Sequence, residues 1–459
     1  MILITAALSV GLYFFLPASI DELQRRMICV FVVAAMFWAF EVLPLYATSL
    51  LVIAMMILFL ATDGGLAEVL PGVQPLPEGT SISYAPFLAA FGSNIIILFM
   101  GGFLLSAALT KHQIDRAIAA KVLRPFLRSP MMLMYGVLLI SAFFSMWMSN
   151  TATAAMMIAI LRPILKQLPA DDRYHRGIVL AVPFGANIGG VGTPIGTPPN
   201  AVAYAAINAV APGTISFLLW MLIGVPLALV MLALVGQLLY RTHKPEADLS
   251  LPSVEGPSRI SWYGKLTLSI LLATVVLWLT GQWHGIGAGT VALLAAVALT
   301  ALSVLDKHDV DSIDWNILIL MWGGLAMGVG IEQSGLGELV ASADLAALPG
   351  GLTGLAAAIV ALSIVLSTFM SNTATANLLV PIVLAFALSV PDRAQLAVLC
   401  ALGCSFAMAM PVSTPPNAIA FATGEVRAST LFKLGGLVSI FCGLTLIVGY
   451  VALRTLVTG

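Results

Sequence analysis

The sequence predicts an all-α polytopic membrane protein made of two inverted repeats, with about 11 transmembrane helices and two re-entrant helical hairpins. Three observations carry this reading. Of the 459 residues, 60% are hydrophobic and only 9% charged, whereas soluble domains carry roughly 25% charged residues. Apolar stretches approaching the roughly 20 residues that cross a bilayer recur from end to end. The third observation is a duplicated polar pattern. SNTATA stands at 149–154 and again at 371–376, TPPNA at 197–201 and at 414–418, and Asn94 with Gly101-Gly102 is answered by Asn316 with Gly323-Gly324. The copies are 222 residues apart for the Asn/Gly-Gly and SNT motifs and 217 for TPPNA, so the second half carries a small length change.

The alternatives to this class are weak. Transmembrane β-barrels alternate apolar and polar residues in short segments, and this chain does not. A net charge of −1 implies no nucleic-acid partner. The first residues, MILITAALSVGLYFFLP, lack a basic region and a small-residue cleavage site, so they read as a retained first helix.

In chain order, apolar spans fall near 2–17, 27–44, 46–62, 93–110, 178–210, 214–240, 266–281, 285–304, 315–331, 393–422 and 434–455. Two longer stretches, 130–168 and 352–390, are interrupted centrally by SNT. Each fits a hairpin that enters the membrane, turns on SNT and leaves by the same side. The spans 178–210 and 393–422 are broken at Gly-Thr-Pro-Pro-Asn and Ser-Thr-Pro-Pro-Asn. Proline pairs remove backbone donors and are expected to kink these helices and free carbonyls. Irregular backbone at membrane depth is tolerated only where it is buried in protein or lines a cavity. Between the halves, 241–262 is polar and contains Pro and Ser, as an exposed loop does.

The basic residues orient the chain. With the N-terminus inside and both SNT stretches re-entrant, sixteen of the 20 Lys and Arg fall in inside loops, and only Arg25, Arg26, Arg393 and Arg454 fall outside. The segment before the first hairpin, 111–129, carries five basic residues. Its counterpart, 332–350, carries none and has Glu332, Glu338 and Asp344. One hairpin therefore opens inward and the other outward, and both preceding segments read as interfacial amphipathic helices.

The expected site lies where the two tips and the two broken helices converge. Its polar groups are neutral: Ser149, Asn150, Thr151, Thr197 and Asn200 from one half, Ser371, Asn372, Thr373, Thr414 and Asn417 from the other. The second arm of each hairpin starts just after SNT, so its N-terminal amides suit an anion. Carbonyls at Gly196 and Ser413, with the hydroxyls of Ser145 and Ser367, suit a hard cation, which takes oxygen ligands. No Lys or Arg lies at the SNT tips or the TPPN breaks, so a multiply charged anion needs bound cations to offset it.

Other candidates are weaker. Cys400 and Cys404 lie one helical turn apart without nearby His or acid and read as packing residues. Glu41 is an acid inside an apolar run, FWAFEVLPLY, but it lies near a helix end and has no repeat mate, which favours a structural role. No histidine sits deep in a span, and neither HExxH nor GxSxG is present, so no organic cofactor and no enzymatic chemistry is implied.

Two SNT motifs on opposed hairpins, each followed by an S/T-P-P-N break, resemble the divalent anion:sodium symporter family, which holds bacterial dicarboxylate transporters and their animal citrate, succinate and sulfate relatives. The resemblance covers nearly the whole chain. It implies a homodimer in a bacterial inner membrane, N-terminus cytoplasmic and C-terminus external, whose transport domain moves as an elevator against a scaffold. Scaffold parts would be 1–128 and 263–349, each ending in an interfacial arm helix. Transport parts would be 129–240 and 350–459, with 241–262 as the cytoplasmic linker. Carried over by position, Ser149, Asn150, Thr151, Thr197, Ser371, Asn372, Thr373 and Thr414 match residues that hold substrate carboxylates. Ser145, Ser149, Asn150 and Gly196 match a first sodium site; Ser367, Met370, Ser371, Asn372 and Ser413 match a second. The implied cargo is a C4-dicarboxylate such as succinate, malate or fumarate with co-transported sodium ions; family members also include sodium-independent exchangers and sulfate or tricarboxylate transporters. One departure is Ala159, where the second hairpin has Pro381.

Overall fold

The computed structural model describes residues 2–17, 19–63, 81–168, 172–245, 260–341, 349–386 and 388–458. Most of the loop expected at 241–262 and the acid Asp344 lie outside the described residues. Among the described residues there is no strand. The α-helices are α1 (Ile2–Phe15), α2 (Glu22–Ala39), α3 (Leu45–Leu60), α4 (Ala85–Ala89), α5 (Asn94–Lys111), α6 (Ile114–Leu123), α7 (Pro130–Ser145), α8 (Asn150–Leu165), α9 (Arg173–Gly190), α10 (Pro198–Val210) and α11 (Phe217–Thr242). They continue as α12 (Trp262–Leu279), α13 (Gly281–His284), α14 (Ala288–Ala301), α15 (Lys307–Asp311), α16 (Trp315–Gln333), α17 (Leu336–Ala341), α18 (Gly351–Phe369), α19 (Asn372–Leu384), α20 (Val390–Ser405), α21 (Pro415–Ala422) and α22 (Ala428–Thr458). Among the described residues, six helical segments are at least 18 residues long and apolar enough to cross a membrane, and further apolar helices have 10–17 residues.

Both SNT stretches break where the sequence predicts. Ser129 caps α7 by accepting from Met132 N (3.2 Å), Pro130 supplies a first-turn residue with no orphan donor, and α7 ends at Ser145. A new helix, α8, starts at Asn150 with Ser149 as its cap. In the second copy α18 ends at Phe369, Met370 is extended (φ −120°, ψ 167°), and α19 starts at Asn372.

The proline pairs act differently from expectation. They do not kink a helix; Pro198-Pro199 and Pro415-Pro416 open α10 and α21. Proline fits the first turn of a helix because its missing N–H is an orphan there. The non-helical peptide lies before the prolines, at 191–197 and 406–414. Helix α2 also stops early, at Ala39, where Glu41 adopts φ 47°; this exposed residue sits in the α2–α3 turn.

The chain divides into two compact units, and neither is a sequential half. Unit one holds Met1–Ile96, Ala201–Ile215 and Asp314–Cys404; unit two holds Ile97–Asn200, Ser216–Ile313 and Ser405–Gly459. Each unit therefore draws on both repeats.

The core of unit one joins α2, α3 and α16, with Met27, Trp38, Val52, Met56 and Met327 fully buried. Small residues let α16 approach closely. A β-carbon on Gly323 would lie 2.4 Å from Ser49 Cβ, and one on Gly324 2.1 Å from Asn377 Oδ1. Indole donors find carbonyls: Trp38 Nε1 donates to Leu45 O (3.2 Å) and Trp322 Nε1 to Phe87 O (2.8 Å). The buried pair Arg26–Glu22 closes at 2.7 Å, and Glu22 also accepts from Tyr13 OH at 2.9 Å.

Unit two is built on α7 against α9. Gly185 and Gly189 face Leu138 and Ala142 so closely that α9 lies against the α7 backbone. Helix α21 packs on α8 and α9, and Trp220 of α11 donates to Val191 O (3.0 Å). At the exposed end of α5, Lys111 donates to Asp306 (3.0 Å) and Asp309 (2.5 Å), and this hydrogen bond holds the Asp306 carboxyl below the usual carboxylate range.

A methyl added at Gly189 would stand 2.1 Å from Ala142 Cα. Gly189→Ala should lower the thermal unfolding midpoint in detergent, with a cost of about 1–3 kcal/mol or more. Gly11→Ala, which meets nothing within 4 Å, should be neutral or stabilising.

Candidate functional site

The repeated motifs produce repeated contacts. In unit two, Ser145 Oγ donates to Asn150 Oδ1 from the last turn of α7 to the first residue of α8. In unit one, Ser367 Oγ donates to Asn372 Oδ1 at 2.7 Å and lies 2.8 Å from Cys404 O. Each serine–asparagine pair ties the end of one hairpin arm to the start of the next. Ser145 and Ser367 are both completely buried. A buried polar group must be hydrogen-bonded or bind something that replaces that bond.

The caps differ between copies. Ser149 Oγ accepts from Ala152 N at 3.2 Å, whereas Ser371 holds the same position without a side-chain cap bond. Thr151 is exposed and Thr373 is buried. The first-turn amides of α8 and α19 are the orphan donors of helix N-termini, with the positive end of the dipole behind them.

The two TPPN breaks share one device. Asn200 Nδ2 donates to Gly190 O (3.0 Å) and Thr193 O (2.8 Å); Asn417 Nδ2 donates to Met408 O and Met410 O, both at 3.1 Å. The asparagine of each motif thus satisfies two carbonyls that the broken helix leaves without helical partners. Both residues are fully buried, and Asn200 Oδ1 has no hydrogen-bond partner. Thr414 caps α21, accepting from Asn417 N at 3.3 Å, and Thr197 Oγ1 lies 3.2 Å from Ser405 Oγ. Ser413 Oγ accepts from Met410 N (3.2 Å). Gly196 admits no side chain, since a β-carbon would stand 2.2 Å from Gly190 O. Beside Ser149, a void of about 10 Å³ is lined by Gly102, Trp147, Met148 and Ile195.

Unit two therefore groups Ser145, Ser149, Asn150, Gly196, Thr197, Ser413 and Thr414 at the α7–α8 tip and in the two breaks before the proline pairs. Unit one groups Ser367, Met370, Ser371, Asn372 and Thr373 on one hairpin. Sequence reasoning missed the residue that links the first group. Asn187, fully buried in α9, accepts from Asn150 Nδ2 (3.4 Å) and donates to Thr414 Oγ1 (3.1 Å) and Asn417 Oδ1 (3.4 Å). The available signal was an asparagine in an apolar, glycine-rich helix, AVPFGANIGG, but neither repeat offset gives it an asparagine mate. Asn377 was missed too; it donates to Leu320 O (2.9 Å), and position 155 of the first copy is Ala.

The chemistry of the groups is narrow. They offer neutral oxygens, amides and helix N-termini. Among the described residues no three His, Cys, Asp or Glu side chains cluster to hold a metal ion. Such a set suits a hard monovalent cation and an oxyanion better than a transition metal.

Known proteins of similar sequence are transporters. The profile of the citrate transporter family (CitMHS) matches residues 35–403 and, in a second alignment, 275–458. An uncharacterized transporter of Haemophilus influenzae is 33% identical over 381 residues, covering 79% of this chain and 81% of the relative. The sodium-dependent dicarboxylate transporter SdcS of Staphylococcus saprophyticus is 27% identical, covering 92% of this chain and 85% of its own. The sodium-dependent high-affinity dicarboxylate transporter 3 of Caenorhabditis elegans is 28% identical, covering 90% and 80%. In fold, the chain is similar to the crystal structure of the Alcanivorax borkumensis YdaH transporter, with TM-score 0.57 and 16% identity over 90% of this chain and 97% of that one.

Removing the amide of either TPPN asparagine takes the side-chain donor from two carbonyls. Thr193 O and Met410 O keep a backbone donor (Gly196 N and Ser413 N), while Gly190 O and Met408 O lose theirs, at a cost of about 1–3 kcal/mol. Asn200→Ala and Asn417→Ala should therefore lower the unfolding midpoint to a similar extent. Thermal unfolding of the purified protein checks this; a neutral result for either would dissociate the asparagine from the break.

Proposed function

The chain belongs to the citrate transporter family, of the divalent anion:sodium symporter type, and from that premise we propose that it imports a C4-dicarboxylate such as succinate, malate or fumarate with sodium. The observation that carries the proposal is the paired serine–asparagine contact at the two tips, Ser145–Asn150 and Ser367–Asn372. Each pair puts a hydroxyl and an amide oxygen beside a helix N-terminus, with no Lys or Arg from 130 to 161 or from 351 to 392.

In this reading the first sodium ion takes oxygens from Ser145, Ser149, Asn150 and the Gly196 carbonyl. The second takes them from Ser367, Ser371, Asn372 and the Met370 carbonyl. Substrate carboxylates accept from the first-turn amides and from the side chains of Ser149, Asn150, Thr151, Thr197, Ser371, Asn372, Thr373 and Thr414. A dianion bound by neutral groups alone leaves two negative charges in a low dielectric, which is costly. Sodium bound alongside offsets that charge, so anion and cation favour each other's binding, and coupling follows as a free energy shared by the sites. Asn150 and Asn372 serve both ligands and are the coupling residues. Asn187 positions Asn150 relative to Thr414 through one amide.

The proposal includes an elevator movement, a homodimer in the bacterial inner membrane, and a cytoplasmic N-terminus with an external C-terminus. The sixteen-to-four distribution of basic residues supports the orientation. The names of the staphylococcal and nematode relatives support sodium and dicarboxylate as the ligand pair.

Asn150→Ala and Asn372→Ala should each cut uptake of labelled succinate into proteoliposomes by roughly 100-fold or more, since each removes contacts to a cation and an anion. Both variants should remain monodisperse in detergent. Normal uptake in both would sink the assignment.

A further inference from the structure

We propose that unit one carries a second binding site, for a single-chain or acyl-chain amphiphile with one phosphate or carboxylate in its head. The site is a cavity of about 410 Å³, within the roughly 300–1,000 Å³ of small-molecule sites. None of the serine, threonine or asparagine residues of the SNT and TPPN motifs lines it.

Three helices form its walls. Helix α10 contributes Val202, Ala206, Ala209 and Val210, spaced along one face; α16 contributes Gly324, Gly328 and Ile331; α19 contributes Pro381 and Leu384. The hollow exists because α16 is glycine-rich here. A β-carbon on Gly328 would meet nothing within 4 Å, so the space beside it is open rather than a packed helix contact. Walls of this composition are as apolar as a lipid tail and accept a hydrocarbon chain by shape.

Two charged side chains decide the head group. Arg393 lines the cavity; its Nη1 donates to Leu384 O at 3.3 Å, and its Nε is buried with no hydrogen-bond partner. A buried guanidinium N–H without a partner is costly, and a carboxylate or phosphate oxygen is its natural acceptor. Glu332, also on the lining, is exposed and makes no ion pair with Arg393. Its carboxylate repels a second negative charge. The head is therefore singly anionic or zwitterionic, which excludes the dianion assigned to the SNT groups. A fatty acid and a phosphatidylethanolamine share this chemistry.

The test is native mass spectrometry of the full chain in detergent, titrated with oleate and, separately, with phosphatidylethanolamine. Wild type should bind one molecule saturably; which of the two binds identifies the source. Gly328→Leu should abolish that binding by filling the hollow, and Arg393→Gln should weaken it about tenfold or more. Ala206→Leu, on a different wall, should also weaken it and serves if Gly328→Leu fails to fold. No saturable binding, or equal binding in wild type and these variants, would overturn the proposal. The readout is binding alone, so it stands or falls independently of dicarboxylate uptake.

Discussion

Backbone polar groups have no water to bond inside a bilayer, and the architecture follows from how this chain meets that constraint. A helix satisfies its own peptides; a broken helix does not, and each unpaired group costs several kcal/mol. Two breaks at 191–197 and 406–414 and two tips at SNT would be prohibitive unless other groups took up the orphan donors and acceptors. The asparagines of the TPPN motifs take two carbonyls each. Thr414 and Ser149 take amides at the new helix starts. The prolines after each break are donors removed in advance. What remains unsatisfied at the tips is an anion-seeking helix N-terminus beside cation-seeking oxygens, which is the composition a coupled site needs.

This balance explains why glycine is concentrated around the first break. Asn200 reaches Gly190 O because α9, the break and α10 fold back on themselves. Gly196 and Gly190 have to be free of side chains for that fold: a β-carbon on Gly190 would stand 2.7 Å from Asn150 Oδ1. Polar satisfaction and close packing are thus one requirement here, and Asn187 extends it by joining the tip to the α21 cap.

Much of this was legible because the motifs violate the composition around them. SNT and TPPN are costly in an apolar chain, and their repetition marked both tips, both breaks and the serines 222 residues apart. The local role of the prolines was not legible, because proline ends one helix or begins the next with the same residues; only the backbone distinguishes them. Asn187 and Asn377 were invisible for a related reason. Each is a single polar residue in an apolar run, without a mate in the other repeat, and its partners lie 37 to 230 residues away for Asn187 and 57 away for Asn377. Such pairings belong to tertiary structure. The cavity beside Gly328 likewise leaves no trace in the hydropathy of α16, α10 or α19 taken singly.

The central claim is that neutral tips carry a dianion only when cations accompany it. The most direct measurement is uptake of labelled succinate into proteoliposomes under an inward sodium gradient, with potassium substituted for sodium, and with unlabelled succinate preloaded in the potassium arm. Sodium-dependent uptake that vanishes in potassium is the result expected. Equal uptake in potassium, driven only by internal succinate, would contradict it and reduce Ser145, Ser367, Gly196 and Ser413 to parts of the scaffold that holds the tips.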